Sequence, residues 1–397
     1  MTRIEGHAKL VLAVDDNGTV RDASFPSTTL VRGFEYLVRG RPPEFTIKVV
    51  ERICGICPIP HGVASAEAFE HAIGVSIPPE AHRLRELLLI SDRLHSHALH
   101  QYLLAHDFPI PGVKKEEMRM RLQTIRRGAQ EIADIVGGEA IHPSNIVIGG
   151  MKTQISARAT ALLYRSMRAC EPLVRQNRDD IAAGIEAWKD ASAYDISGKE
   201  GPMLASDMYY GDRKEVDLSA ISEMSPYRYY GKDDAGRSSN ITIPLYYGEP
   251  VEVGPRARLA KYKGLKSTSP LDINNARARE MAIYVNRALE ILDELDESRI
   301  VRSDAILCKG EGVGVIEAPR GTNIHQAELG KNGLVESYNI IAPTTWNMPA
   351  IERAIVGNHQ SCAEMIVRSF DPCVDCATHC IEVKDMEGCH IETRRSL

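Results

Sequence analysis

Two Cys-x-x-Cys pairs stand near opposite ends of a 397-residue chain, Cys54-Gly55-Ile56-Cys57 and Cys373-Val374-Asp375-Cys376, 316 residues apart. A gap of two residues lets a tight turn point both sulfurs of a pair the same way, so the two pairs together offer four thiolates to one site. If they meet, everything between them must fold so that both ends of the chain reach one place. On spacing alone, a structural zinc site and an iron–sulfur or other soft-metal centre both stand. Zinc ribbons usually keep their pairs roughly 15–20 residues apart. Ligands drawn from the two ends of a long chain therefore suit a reactive centre inside a large body better than a staple. Nine cysteines are too few and too unevenly placed for a disulfide scaffold; Cys170, Cys308 and Cys362 are isolated and read as small core residues.

The length admits two or three domains or one large enzyme body. With 43% hydrophobic and 26% charged residues the chain reads as an ordinary globular protein, and a net charge of −6 argues against a nucleic-acid binder or a basic membrane-surface protein. No apolar run approaches the roughly 18 residues of a membrane span, and the start lacks the apolar stretch of a signal peptide, so a cytoplasmic protein is expected. Alternation from Ala8 to Val14, the Asn17-Gly18 turn and a return from Thr19 predict an N-terminal β-hairpin. Helical periodicity covers Ala64 to His71, about Pro79 to His106, Lys115 to the Gly137-Gly138 stop, and about Asn274 to Leu295. A further helix from Ser156 towards Lys189 should bend or divide at Pro172. Short strands and loops are expected over 198–270 and 301–350. No internal repeat is visible. The fold class is mainly α with a minor β part.

Arg52-Ile53-Cys54-Gly55-Ile56-Cys57 followed by His61, with Asp371-Pro372-Cys373-Val374-Asp375-Cys376-Ala377-Thr378-His379, resembles the paired signatures of nickel–iron hydrogenase large subunits. Thr2-Arg3-Ile4-Glu5-Gly6-His7, Glu317-Ala318-Pro319-Arg320-Gly321 and Pro343-Thr344-Thr345-Trp346-Asn347 fall in the family's order. The resemblance spans the chain and implies that family's fold: long central helices, an N-terminal β-hairpin and small peripheral strands. Within the family, Cys-Pro-Ile-Pro-His and Asp-Pro-Cys-x-x-Cys-Ala-Thr-His are most similar to the alpha subunit of the methanogen hydrogenase that reduces the deazaflavin coenzyme. The viologen-reducing hydrogenase linked to heterodisulfide reductase is the second reading.

The resemblance implies Cys54 and Cys373 as terminal nickel ligands, and Cys57 and Cys376 as thiolates bridging nickel to an iron that carries carbon monoxide and cyanide. Soft thiolates suit both metals. His61 would support the Cys57 sulfur. Arg320 would hang over the open metal position and donate to cyanide, with Asp371 and Asp107 completing a polar canopy; either aspartate could instead be a helix cap. Heterolytic cleavage of dihydrogen needs a base beside the metal, and Glu5 matches the family's glutamate that relays the proton from Cys373. Glu35 and His379 match a second, buried divalent-cation site holding magnesium or iron. The histidines at 95, 97, 100 and 106 read as a helix face packed near a partner subunit, and Lys261 to Lys266 as a solvated loop.

The chain cannot complete such a reaction alone. Beyond the four ligand cysteines no set has the spacing of an iron–sulfur cluster, and no Gly-x-Gly-x-x-Gly offers a dinucleotide site. The resemblance thus implies an iron–sulfur small (gamma) subunit, a beta subunit binding flavin and the deazaflavin coenzyme, a maturation protease and nickel-insertion proteins. Flavin and iron–sulfur clusters belong to the partners, and peripheral membrane association could arise only through the complex. In the family a protease cuts after the histidine of the second signature. Residues 1–379 would then form one body, and the polar stretch 380–397 a removable extension. A zinc-stapled structural protein and the nickel-free, quinone-binding homologue of respiratory complexes are the competing classes; retention of all four cysteines argues against the latter.

Overall fold

A computed structural model describes residues 5–6, 8–27, 33–106, 109–139, 141–212, 216–224, 228–229, 242–374, 380–384 and 390–394. Its body is helical: α1 (Phe34–Leu37), α2 (Pro43–Val50), α3 (Pro58–Ile73), α4 (Pro79–Leu104), α5 (Lys115–Gly137), α6 (Ala157–Ala191), α7 (Pro255–Lys263), α8 (Asp272–Glu294), α9 (Pro343–Ile355) and α10 (Ala363–Phe370). The α+β architecture agrees with the sequence pattern. Helix α4 packs on α5 and α8, α5 on α6, and α6 on α8. Of the apolar positions at helical spacing in this stretch, Met281, Val285, Ala288 and Leu292 of α8 are buried, and Leu295, just past its end, is half-buried. Pro172 does not divide α6, which runs unbroken from Ala157 to Ala191. The proline is exposed, so the carbonyl it deprives of a helical partner faces water.

Helix α4 is buried on most of its circumference, and it brings Arg85, Glu86, Asp92, Arg93, His97 and His100 into the interior. Burial at that cost requires partners. Arg85 forms a two-pronged pair with Glu70 of α3 at 2.8 and 2.6 Å, and His97 meets Glu280 of α8 at 3.0 Å. The expected histidine face near a partner subunit is corrected in part: His97 and His100 find their partners inside this chain.

Strands Gly310–Ala318, Gly321–Leu329 and Val335–Ile341 form an antiparallel sheet in that order. Its first strand lies flush on α3 because alternate residues there are glycines. A Cβ at Gly310, Gly312 or Gly314 would come within 1.9–2.1 Å of the carbonyl oxygens of Ala72, Ala68 and Ala64 respectively. Two strand residues advance about 6.6 Å and one helical turn of four residues about 6 Å. The two repeats stay in step for three contacts, with no side chain between the backbones.

The N-terminal hairpin, Lys9–Val14 with Val20–Ser24, forms as expected. Asp15 caps its loop by accepting from the amides of Asn17 and Thr19. Cys380–Lys384 pairs in parallel with residues 9–13, and His390–Arg394 adds a fourth strand outside it. Glu5–Gly6 pairs in parallel with Cys373–Val374. Both ends of the chain thus meet through main-chain hydrogen bonds. Of the isolated cysteines, Cys170 and Cys362 are buried, whereas Cys308 is exposed, so it is no core residue. Lys261 lies on α7 and donates to Ala205 O at 2.7 Å, which corrects the expected solvated loop at that residue, whereas Lys263 and Lys266 are exposed and 264–266 is loop.

Since Gly314 leaves no room for a methyl group, Gly314→Ala should destabilise the fold by about 1–3 kcal/mol and pull α3 off the sheet. Urea unfolding and the separation of His61 from His325 report the two effects; wild-type stability would show that the helix can move away freely.

Candidate metal centre

Three thiols from the two chain ends converge. The Sγ atoms of Cys54 and Cys373 are 3.2 Å apart, and the sulfurs of Cys54, Cys57 and Cys373 all lie within 4.8 Å of one another. Among the described residues no other group of three ligating side chains is gathered this closely. Cys376 and His379 of the second signature, and Asp107, lie outside the described residues. Cys373 reaches Cys54 while Cys380–Lys384 is paired with the N-terminal hairpin.

Local sequence explains the first pair. Glu51–Ile53 forms a 3₁₀ turn after α2, and Cys54 is extended. Cys57 then caps α3, whose first helical residue is Pro58. Proline suits that position because its missing N–H would be unpaired anyway. The helix begins six residues earlier than its periodicity suggests, since Pro58 and Pro60 mask the signal. Cys54 Sγ accepts from the amides of Ile56 at 3.3 Å and Cys57 at 3.4 Å. Hydrogen bonds from Cys373 and Cys57 hold the Cys54 thiol well below its usual range despite burial, with Arg320 adding its charge. Cys373 is pushed well above that range because it hydrogen-bonds to Cys54 and Cys57 and is buried. The three sulfurs, gathered within 4.8 Å of one another, are soft donors of the kind nickel and iron take.

On the other side, α10 ends at Asp371, which takes a left-handed conformation at φ 54° and turns the chain into Cys373. A non-glycine residue there needs support. Arg320 supplies it: Nε donates to Asp371 O at 2.6 Å and Nη2 pairs with Oδ2 at 2.9 Å. His100 Nδ1 meets Oδ1 at 3.1 Å, and Cys373 N–H donates to Thr344 Oγ1 at 3.1 Å. Burial opposes the charges of both Arg320 and Asp371, yet Arg320 and His100 hold the Asp371 carboxyl below the ordinary carboxylate range. Arg320 and Asp371 thus form a buried ion pair beside the thiols.

Sequence reasoning missed the face of α4 that packs against this ion pair. Asp92, Ser96 and His100 follow one another at intervals of four, which places them on one side of the helix. Ser96 Oγ accepts from Arg320 Nη1 at 3.2 Å. Asp92 is buried, and burial together with the charge of Cys54 pushes its carboxyl well above the ordinary range. It lines a cavity of about 100 Å³ with Gly55, Ile56, His95 and Arg126. The i, i+4, i+8 spacing was the available signal. Arg277 reinforces His100 from behind at 3.2 Å and donates to Ser369 O at 2.5 Å.

His61 Nδ1 is 3.0 Å from His325 Nε2, and His325 Nδ1 is 2.7 Å from the Tyr338 hydroxyl. All three are buried. Glu5 stands opposite Cys373 in the parallel strand register. Glu35 sits half-buried on α1, which packs against the strand containing Tyr338, and its charge contributes to raising that phenol, after burial.

Glu51, just ahead of Cys54, is fully buried against α3: a Cβ at Gly62 would lie 2.7 Å from its Oε1. Lys48 pairs with it at 3.1 Å, but burial dominates and pushes the carboxyl up from 4.5 to about 7. A raised folded-state pKa means full stability below about pH 4.5, lost as pH rises through 7. Glu51→Gln should therefore be more stable than wild type above about pH 8, by up to about 3 kcal/mol, and equal to it at about pH 4. A constant difference across that range, measured by denaturant unfolding, would contradict this origin.

Comparison with known proteins agrees with this geometry. The nickel-dependent hydrogenase profile matches residues 32–109 and 264–379, and a HoxL-like profile matches residues 1–28. The chain is 46% identical to the alpha subunit of coenzyme F420 hydrogenase from Methanocaldococcus jannaschii, covering 100% of this chain and 96% of that protein. It is 40% identical to the counterpart from Methanothermobacter thermautotrophicus, covering 97% and 94%. It is 30% identical to a subunit of the vhu F420-non-reducing hydrogenase of M. jannaschii, covering 93% and 98%. Among solved structures, the Ni-Fe-Se hydrogenase of Desulfovibrio vulgaris Hildenborough superposes with a TM-score of 0.78 at 25% identity, covering 95% of this chain and 98% of that one.

Proposed function

The chain belongs to the nickel-dependent hydrogenase family and is an oxidoreductase, and from that premise we propose that it is the catalytic subunit of a nickel–iron hydrogenase that serves the deazaflavin coenzyme. The observation that carries this is the gathering of thiols from both chain ends beneath Arg320 in a chain 46% identical, over its whole length, to the alpha subunit of a coenzyme F420 hydrogenase. The donor set fits the metals: the sulfurs are soft, Cys54 and Cys57 are buried and Cys373 half-buried, and a guanidinium charge is close by. Cys54 and Cys373, with Cys57 and Cys376, would hold a nickel–iron centre whose iron carries carbon monoxide and cyanide. When bound, that centre supplies the Lewis acidity and redox chemistry by which dihydrogen yields two protons and two electrons.

The chain's own residues handle charge and protons. Arg320 keeps its charge in the dry site and offers N–H donors towards cyanide. Asp371 fixes its angle. Glu5, in register with Cys373, receives the proton released on that side and passes it outward. His61 supports the Cys57 side from α3, and Asp107 extends the canopy. Glu35 and His379 hold a divalent cation, magnesium or iron, near the new C-terminus.

Electrons leave through partners: an iron–sulfur small (gamma) subunit, then a beta subunit carrying flavin and the deazaflavin coenzyme. What supports this is that the relatives at 46% and 40% identity are designated alpha subunits, which implies further subunits beside them. No described helix is long and apolar enough to cross a membrane, which suits a cytoplasmic complex. The viologen-reducing alternative has weaker support, because the F420-non-reducing relatives stand at 30% identity against 46%.

Metal analysis of the purified complex should find nickel and iron, with infrared bands of metal-bound carbon monoxide and cyanide; zinc alone would sink the proposal. In the same preparation Glu5→Gln should keep both metals yet suppress hydrogen–deuterium exchange, since only proton transfer loses its carrier.

The extension is expected to be removed by a maturation protease after nickel-insertion proteins have loaded the site. Mass spectrometry of active enzyme should find a chain ending at His379. Full activity in chains that retain residues 380–397 would overturn the maturation step while leaving the hydrogenase reading in place.

A further inference from the structure

Four successive carbonyls run through the turn that carries Arg320, and each is taken by a buried side chain from elsewhere. Glu317 O accepts from Arg93 Nε and Nη2 at 2.9 and 2.6 Å. Ala318 O and Pro319 O accept from Arg258 Nη1 and Nη2 at 2.9 and 3.2 Å. Arg320 O accepts from Asn347 Nδ2 at 3.1 Å. Only Glu317 and Ala318 belong to the strand ladder, which closes at the pair Ala318 and Gly321. Pro319 and Arg320 form the two-residue turn itself, so the bonds from Arg258 and Asn347 are what ties its tip to the body.

Both donors are themselves immobilised. Arg258 of α7 is fully buried and braced by Glu280 at 2.7 and 2.8 Å and by Glu317 Oε2 at 2.9 Å. Asn347 of α9 is buried, and its Oδ1 accepts from Val253 N–H at 3.0 Å. Gly254, next in the chain, passes so close that a Cβ there would lie 2.7 Å from Arg320 O. The turn is therefore gripped from α7, α9 and residues 253–254, while the guanidinium it carries reaches Ser96 and Asp371 on the opposite side.

We infer that Arg258 and Asn347 are positioning residues for the reaction: by holding the carbonyls of Ala318, Pro319 and Arg320 they set the height and tilt of the Arg320 guanidinium over the thiols. The inference rests on the proposed role of Arg320 at the metal centre. Both act through the turn and not on the cysteines themselves. A displacement of about 1 Å in a group aimed at a reacting centre can cost on the order of 100-fold in rate.

The test uses the intact, metal-loaded complex and a double-mutant cycle. Asn347→Asp keeps an acceptor for Val253 N–H and replaces the donor to Arg320 O by a carboxylate oxygen that repels it; Arg258→Lys keeps the charge facing Glu280 and Glu317 but cannot reach both turn carbonyls. Each should lower turnover on the order of 10- to 100-fold with nickel and iron content unchanged, and should shift the infrared cyanide bands in the same direction as Arg320→Lys. In an Arg320→Lys background neither should cost more than about threefold, since the group they aim is already gone. Equal losses in both backgrounds, unshifted cyanide bands, or loss of metal from both variants would overturn the inference and make the residues structural. Wild-type turnover and bands in Arg320→Lys alone would instead refute the role of Arg320, and this inference with it.

Discussion

A guanidinium buried beside three thiols is unstable unless its charge is matched, and Asp371 meets that demand for Arg320 with both its carboxylate and its own carbonyl. Much else follows from it. Asp371 can occupy a left-handed conformation because Arg320 and His100 hold it, and that conformation turns the chain from α10 into Cys373. The pair therefore sets the direction in which the second cysteine signature enters. Breaking a buried pair of this kind by removing one partner typically costs about 3–5 kcal/mol, so centre and fold are stabilised by the same contacts.

Around this pair the interior is electrostatically layered. Arg258 shares Glu280 with His97 and also meets Glu317. The strong charge of Arg258 holds Glu280 down to about 2 against burial, while burial keeps His97 near 4 and neutral at ordinary pH. Arg277, pushed down to about 10 by burial, backs His100. Charged side chains at the centre of a helical body are tolerable here because nearly all of them converge on carboxylates or backbone carbonyls. The glycine-lined strand does the complementary work, bringing α3 close enough for His61 to meet His325.

The long helices, the hairpin and the two cysteine signatures are legible in the sequence because each depends on local periodicity, turn chemistry or short spacing. The start of α3 at Pro58 is not, since prolines look like breakers until one knows that they sit in a first helical turn. Pro172 misleads in the opposite sense, because its exposure, which decides the outcome, is a tertiary property. At the site, Arg320 and Asp371 can be read from their motifs. Ser96 and Asp92 offer only their spacing of four, which gains its meaning when Arg320 arrives from more than 200 residues away. The glycines at 310, 312 and 314 lie in an alternation that looks like a weak strand, and only the alanines of α3 give it meaning.

The pairing of the chain's two ends also fixes an order of events during biosynthesis. A ribosome releases Cys54 and Cys57 with 316 residues separating Cys57 from Cys373, an interval of roughly 15 to 60 seconds at about 5–20 residues per second. Throughout that time the nascent polypeptide displays half a chelator, and Glu5 has no strand to lie beside. A metal captured then would meet two thiols rather than the full set. The architecture thus makes the gathered thiol cluster available only once the chain has been made past Cys373.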